Sequence, residues 1–445
     1  MINRDQTLSS LKAALAASTA DQTELCLIGE DLSLTRFAES QIHQNMYRAD
    51  TTVYVRAIKN RKVGITSTGD LSAQALKQAV VNACTIAELM PEDPDFESLP
   101  SPQAAPTITA NEAGTIENTP QLRADAVGKI VDLCRKSSLQ TAGAYRVTTD
   151  TVAVVNSLGI EQFGTSSRSE LSLTANGEKG NAGWAIAYAH DAKNIDVERT
   201  ANRAIDKAVR SLEPISLETG AYTVILEPAA VGQLLLFLAF MGFGAKTLHQ
   251  QRSFMAGKIG EKITGDNITI IEDPLAPEFA GLAFDYEGVP RKQVTLIENG
   301  IAKGVVSNSY YARLLKSEST GHALPPNNTY GPYPKYMAIN GGNSTIDEMV
   351  ASTSRGVYIT HFWYVNFLNP MKTQVTGTTR DGTFLIENGK VGAAIKNMRI
   401  NQSILEAYAN AEMISKAREL YPQYSVAMLV PAMKINNFNL ETTEG

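Results

Sequence analysis

The chain has 445 residues, 43% of them apolar and 19% charged, with a net charge of −6. That length allows two or three domains with cores of their own, and the composition is that of a globular protein without low-complexity tracts. No dense Lys/Arg run supplies the basic footprint of a nucleic-acid binder, so direct DNA or RNA partners are disfavoured.

In chain order, Met1–Leu15 lacks the charged-then-apolar layout of a signal peptide; Leu8, Leu11 and Leu15 mark one face of a helix instead. Positions Ile42, Gln44, Val53, Val55 and Ala57 recur 118 residues later as Ile160, Gln162, Leu171, Leu173 and Ala175. Period-two strands carry Val53/Val55/Ala57 in the first copy and Trp184/Ile186/Tyr188 just beyond the second. Each copy then reaches a glycine (Gly64, Gly183) and an amphipathic helix. The first helix has its stripe at Leu76, Val80, Ala83 and Ala87, the second at Val197, Ala201, Ala204, Ala208 and Leu212. A β-hairpin followed by a helix is therefore expected twice. Between the copies, Pro91–Pro106 is rich in Pro and acid and reads as a linker or surface loop. Thr119 then caps a helix with Pro120 at its first position and a stripe at Leu122, Ala126, Val127, Ile130 and Cys134.

A composition change at Leu212–Gly220 marks a domain boundary. The expected organisation is an N-terminal α+β domain over 1–215, duplicated as 1–90 and 115–215, and a strand-rich domain over 220–445. Ala229–Ala245 is apolar but about 17 residues long, with Gln233 and three glycines; that is at or below the lower limit for spanning a bilayer, and a buried core helix is expected. The five-residue repeat LIENG ends in Asn299-Gly300 and Asn388-Gly389, each predicting a two-residue hairpin turn with positive φ at both central positions. An amphipathic helix is expected over Ile404–Leu420, then a strand at Val426–Val430.

The chemistry-bearing residues are sparse. His43, His190, His249, His322 and His361 are too far apart for an HExxH zinc motif. Cys26, Cys84 and Cys134 are scattered in apolar surroundings and read as buried thiols of a reducing compartment. No nucleophile elbow, Walker or dinucleotide fingerprint appears; Thr165-Ser166-Ser167 reads as a polar hairpin loop. Asp285 and Glu287 have acid/base spacing on an extended strand, but their context, DYEGVPRKQ, reads as a turn with solvated carboxylates. Gly356–Gly382 is the most suggestive stretch. It gathers His361, Trp363, Tyr364, Asn366 and Asn369 before a Thr/Arg/Asp segment, a pattern that suits a groove for an extended peptide and equally an ordinary sheet face.

At LTRFAESQIHQN (34–45), VYVRAIKNRKVGITSTGDLS (53–72), VVNSLGIEQFG, SFMAGKIGEKI (253–263), FDYEGVPRKQVTLIENGIAKG (284–304), STGHAL and TGTTRDGTFLIENGK (376–390), the chain resembles the TldD/PmbA family, also called TldD/TldE. The resemblance covers nearly the whole chain. It implies a two-lobed fold, a dimer enclosing a peptide-accepting cavity, and proteolysis of unfolded or ribosomally made peptides. In the TldD-like branch a helix carries HExxxH and a C-terminal Cys completes a zinc site. Placed on this chain, the two His positions fall approximately at Leu236 and Met241 and the Glu at Phe237, and the Cys is missing. The resemblance thus implies the metal-free TldE/PmbA-like branch: no catalytic residues, no cofactor, a cytoplasmic and non-membrane location, and a TldD-like zinc-bearing subunit or a second copy as partner. On this reading His322, His361, Trp363, Asn366, Arg380 and Asp381 line a peptide groove. A stand-alone peptide-binding homodimer and a metal-independent hydrolase using Asp285/Glu287 or a Ser/Thr nucleophile are the competing expectations.

Overall fold

The computed structural model describes residues 2–104, 106, 119–279 and 281–443. The chain forms two sheets that share no strand. The first is six-stranded and antiparallel. Helix α1 (Arg4–Leu15) precedes β1 (Gln22–Ala38), β2 (Gln41–Lys59), β3 (Lys62–Thr68) and α2 (Ala73–Leu89). The pattern then repeats as α3 (Pro120–Lys136), β4 (Gln140–Asn156), β5 (Glu161–Asn176), β6 (Ala182–Ala189) and α4 (Val197–Arg210). The strand order β3-β2-β1-β4-β5-β6 places the two copies back to back, with β1 and β4 paired at the centre. The duplicated unit is thus larger than a hairpin plus helix: a helix, a three-stranded meander and a second helix.

The glycines that mark the repeat occupy equivalent places. A Cβ on Gly64 would sit 2.2 Å from the Ala83 carbonyl oxygen and 2.4 Å from the Ala87 nitrogen; one on Gly183 would sit 2.1 Å from Ala204 O and 2.4 Å from Ala208 N. Each third strand therefore touches the backbone of its helix, which only glycine permits. Gly64→Ala and Gly183→Ala are each expected to destabilise by roughly 1–3 kcal/mol, as overpacking does, and by similar amounts. Urea unfolding of the two variants checks this; a loss at one position only would mean that the copies pack differently.

Several local expectations shift. Thr119 caps α3 as expected, accepting from the Leu122 N–H, but Leu122 is exposed and Arg123 is buried in its place, bonded to Thr35 Oγ1 and Asn45 Oδ1. The connector Pro91–Pro106 has no helix over its described residues (105 lies outside them), yet Phe96 and Leu99 pack against Ile58 and pin it. Thr165-Ser166-Ser167 is mid-strand in β5, opposite Thr151, Asp150 and Thr149, rather than in a loop.

The second sheet has eleven strands. β7 (Gly220–Leu226) leads into α5 (Pro228–Gly242) and the short α6 (Ala245–His249); β8 (Ile270–Glu272), β9 (Val294–Glu298), β10 (Ile301–Ala302), α7 (Ser309–Leu314), β11 (Tyr336–Ile339) and α8 (Ile346–Ala351) follow. Then come β12 (Arg355–Asn369), β13 (Gln374–Glu387), β14 (Lys390–Ala394), β15 (Met398–Ser403), α9 (Ile404–Ala409), β16 (Ala411–Gln423) and β17 (Val426–Thr442). Because β17 pairs with β7 as well as β15, strands β7, β12, β13, β15 and β17 close into a ring. Phe362 and Phe438, both fully buried, stack with their ring centroids 6.2 Å apart. The expected antiparallel hairpins are present as β9–β10, β12–β13, β13–β14 and β16–β17, and the pairings β7–β12 and β11–β17 add parallel neighbours.

Both Asn-Gly turns have the expected positive φ at both positions (48° and 77°, 49° and 73°). The helix expected over Ile404–Leu420 stops at Ala409; residues 411–423 are β16, paired along β17. α5 is a buried core helix, as expected, and no helix among the described residues is long and apolar enough to cross a membrane.

Candidate functional site

The two lobes meet in two places: β6 and α4 face β12, β13, β16 and the start of α5, and β1, β2, β4 and β5 face the segment 282–287. Trp184 of β6 stacks on His361 of β12 (centroids 4.3 Å apart, planes 29° apart). Beside this stack opens a cavity of about 340 Å³, lined by Trp184, Gln233, Phe237, the segment His361–Asn366, Tyr421, Gln423 and Tyr424. Its floor is α5, its wall is β12, and its rim is the β16–β17 turn.

The wall has an open strand edge. β7 pairs with β12 only over Val357–Ile359 and ends at Leu226, while β12 runs on to Asn369. At Phe362 the side-chain amide of Gln233 substitutes for the missing neighbour: the Phe362 N–H donates to Gln233 Oε1 at 2.6 Å, and Gln233 Nε2 donates to the Phe362 carbonyl at 2.8 Å. Past that point the register with β13 breaks between Trp363 and Asn366, and Tyr364 takes a φ of 53°. Such a bulge re-aims side chains; here Trp363, Tyr364, Phe367 and Leu368 are left exposed.

Of the residues expected in the groove, His361, Trp363 and Asn366 come together in this cavity. Arg380 does not line it but lies over the Trp363 ring at 4.5 Å. Asp381, at φ 51°, places Oδ2 3.4 Å from His361 Nε2, while His361 Nδ1 lies 3.1 Å from the Phe362 carbonyl. These two contacts fix the imidazole against Trp184. His322 is elsewhere. It is fully buried between Thr320 Oγ1 (2.9 Å) and Glu272 (3.3 Å), and burial lowers its pKa in spite of that carboxylate. Glu272 in turn accepts the backbone N–H groups of Lys335 and Tyr336, so the pair staples a loop to β8.

Sequence reasoning missed Gln233, Tyr421, Gln423 and Tyr424, and took Trp184 only as a strand residue. The tip of the β16–β17 hairpin turns on Tyr424 and Ser425, both at positive φ without Gly or Asn, so no turn signal announced it.

Asp285 and Glu287 are not solvated. Both are buried, and Glu287 reaches across the lobe junction to Arg56 (3.2 Å), which also holds Glu24 (3.0 Å). The Asp285 carboxylate accepts from the backbone N–H groups of Glu287, Val289 and Ala323. These groups organise a turn and a lobe contact rather than facing the cavity.

On α5, the positions that the resemblance aligns with two imidazoles and a carboxylate hold hydrocarbon. Leu236 and Met241 are buried in the core, and Phe237 turns toward the cavity, its ring 4.8 Å from that of Phe367. No group of three His, Cys, Asp or Glu able to hold an ion occurs among the described residues. Zinc therefore does not fit this donor set.

The comparisons with known proteins agree with this architecture. The chain matches the PmbA/TldA metallopeptidase domain 1 over residues 32–87, the central domain over 119–212 and the C-terminal domain over 219–442. A metalloprotease PmbA homolog of Haemophilus influenzae is 25% identical over 434 residues, covering 89% of this chain and 88% of that protein. A metalloprotease TldD homolog of the same organism is 28% identical over 225 residues, 49% of this chain and 46% of that protein, so the chain spans about half the length of the TldD relatives it matches. The crystal structure of TldE from Thermococcus kodakarensis superposes with a TM-score of 0.89 over 98% of this chain and 99% of that one, at 23% identity, which speaks to the fold. The chain belongs to the PmbA/TldD metallopeptidase family.

Proposed function

We propose that this chain is the non-catalytic, TldE-like subunit of a TldD/TldE-type metallopeptidase, and that it supplies part of the wall against which an extended peptide lies. The observation that carries the reading is the hydrocarbon character of α5 in a family of metallopeptidases, with Leu236, Phe237 and Met241 approximately where the resemblance puts two zinc ligands and the base. A TldD-like subunit supplies the zinc and its base. Pairing of a peptide backbone with the open edge of β12 gives affinity with weak sequence preference, because backbone groups are common to all peptides. Exposed Trp363, Tyr364, Phe367, Leu368 and Met371, on and beside the projecting β12–β13 hairpin, form an apolar surface suited to a partner subunit. The free, buried thiols of Cys26, Cys84 and Cys134 suit a reducing, cytoplasmic setting.

Co-expression with a TldD-like protein tests this. The expected result is a stable complex whose zinc is lost with the partner, and chelator-sensitive cleavage of unfolded peptides by the pair but not by this chain. A chain that forms only homodimers and retains peptides uncleaved would replace the reading with a stand-alone binder. Chelator-resistant cleavage by the isolated chain, lost in Glu287→Gln, would replace it with an independent hydrolase.

A further inference from the structure

We infer that the cavity above α5 is a side-chain pocket selecting a large aromatic residue of an extended peptide. The inference rests on the peptide-wall part of the proposed function and adds to it the class of residue that is read.

Three features of the cavity converge. Its size, about 340 Å³, lies at the lower end of the range for small-ligand clefts, enough for one large side chain and a short backbone segment. Its lining is rich in rings: Trp184, Phe237, Trp363, Tyr364, Tyr421 and Tyr424 come from β6, α5, β12, β16 and the β16–β17 turn, with Gln233, His361, Asn366 and Gln423 between them. Rings accept another ring in offset or edge-on contact, which adds to the gain from burying apolar area. Asp, Glu, Lys and Arg are absent from its lining residues, and the nearest charges, Arg380 and Asp381, are already engaged on Trp363 and His361, so a charged side chain entering it would lose water without gaining a free ion partner.

The strand edge supplies the second, independent observation. Gln233 already holds the Phe362 backbone through an amide placed as a neighbouring strand would place its own. An extended peptide continuing along β12 from that point runs past the cavity mouth, where alternate side chains point to one face. One of them then enters. Phe237 contributes to the arrangement by turning a ring, rather than a charged group, toward the cavity.

The protein carries its own reporter. Its only two tryptophans, Trp184 and Trp363, both line this cavity, so intrinsic tryptophan emission reads occupancy without a label. The probes are blocked five-residue peptides of Ser and Thr with Phe, Ala or Lys at the centre, uncharged except for that Lys, none of which emits under tryptophan-selective excitation. With the isolated chain, the Phe peptide is expected to shift the emission saturably. The Ala peptide should bind about tenfold or more weakly, as expected when a buried aromatic side chain is removed, and the Lys peptide should be weaker still. Tyr424→Ala, a change at an exposed rim residue, should weaken the Phe peptide severalfold while the melting temperature stays put.

Equal responses to the three peptides, or no saturable response to the Phe peptide up to about 1 mM, overturn the assignment. The subunit reading is scored separately by co-purification. A complex that forms and cleaves while the Phe peptide goes unread sinks the pocket alone; a Phe-selective response without any complex sinks the subunit reading alone.

Discussion

Replacing Glu227 by leucine is expected to lower the unfolding free energy by about 3–5 kcal/mol, the usual result of stripping one partner from a buried charge cluster. Glu227 stands at the N-terminal boundary of α5, where a carboxylate also meets the positive end of the helix dipole. It is buried, and its oxygens take Lys207 Nζ at 2.8 Å, an Arg203 guanidinium nitrogen at 3.3 Å and the Tyr358 hydroxyl at 2.9 Å. Burial alone would raise its pKa, but Lys207 and Arg203 outweigh burial and hold the carboxyl below the usual range. Lys207 and Arg203 come from α4 of the first lobe and Tyr358 from β12, so one carboxylate ties three elements across the lobe junction at the root of the helix that floors the cavity. In the leucine variant Lys207 keeps only the Trp184 carbonyl at 3.3 Å, and burial already lowers the pKa of its amine. Lys207→Met should cost less, because Glu227 retains Arg203 and Tyr358. The double variant should recover much of the loss, giving a coupling energy well above zero. Urea unfolding with unchanged slope measures all three. A Glu227→Leu loss below about 1 kcal/mol would mean that this cluster is not what fixes the start of α5.

The parts of the fold legible in the sequence are those written in local chemistry. Asn-Gly predicts a hairpin turn because two positive φ values are needed in succession, and both turns are there. The Leu76/Val80/Ala83/Ala87 stripe is buried because period 3.6 leaves one face for the sheet. The repeat was visible at Val53/Leu171 and its neighbours because equivalent strands bury equivalent positions. What was not legible depends on distant partners. Residues 411–420 carry apolar spacing that serves a helix or a strand, and the decision for strand came from β17, which lies after them in sequence and offers pairing along most of β16. Closure of the ring of strands by β17 and β7, more than 200 positions apart, leaves no mark on either segment.

The site divides in the same way. His361, Trp363 and Asn366 are close in sequence and on one strand, so composition revealed them together. Trp184, Gln233 and the Tyr421–Tyr424 turn join them only through lobe contact and strand pairing. Their types, aromatic or amide, are as common in cores as in pockets. His322 shows the opposite case: a histidine in a Gly- and Pro-flanked loop has the outward signs of a binding residue, yet Glu272, a strand away, claims it for the interior. Asp285 and Glu287 sit in a turn, which favours solvation, but Arg56 of the other lobe and three backbone N–H groups bury them.

That lobe junction sets a pH dependence whose sign is testable. Glu24 is buried beside Arg56 and Glu287; burial and the second carboxylate outweigh the guanidinium and push its carboxyl up from 4.5 to about 7. Asp285 is likewise raised to about 7, by burial and then by Glu287. A carboxyl raised in the folded state binds a proton there that the unfolded chain releases. Its favourable contribution is therefore complete below about 4.5, declines as pH rises, and is lost above about 7. For Glu24 alone, at 1.36 kcal/mol per pKa unit, the decline is about 3 kcal/mol. Glu24→Gln keeps the shape, removes the surplus negative charge and leaves Arg56 paired with Glu287. The variant should be more stable than the parent at pH 8 by about 1–3 kcal/mol, and the gain should vanish by pH 5. Taking the difference between variant and parent in urea unfolding at each pH cancels the other titrating groups. Asp285→Asn should behave differently and destabilise at both pH values, because Oδ1 and Oδ2 both accept backbone N–H groups and an asparagine has one acceptor to offer. A Glu24→Gln protein less stable than the parent at pH 8 would show that attraction between Glu24 and Arg56 exceeds the burial cost, and would reverse the sign argued for this junction.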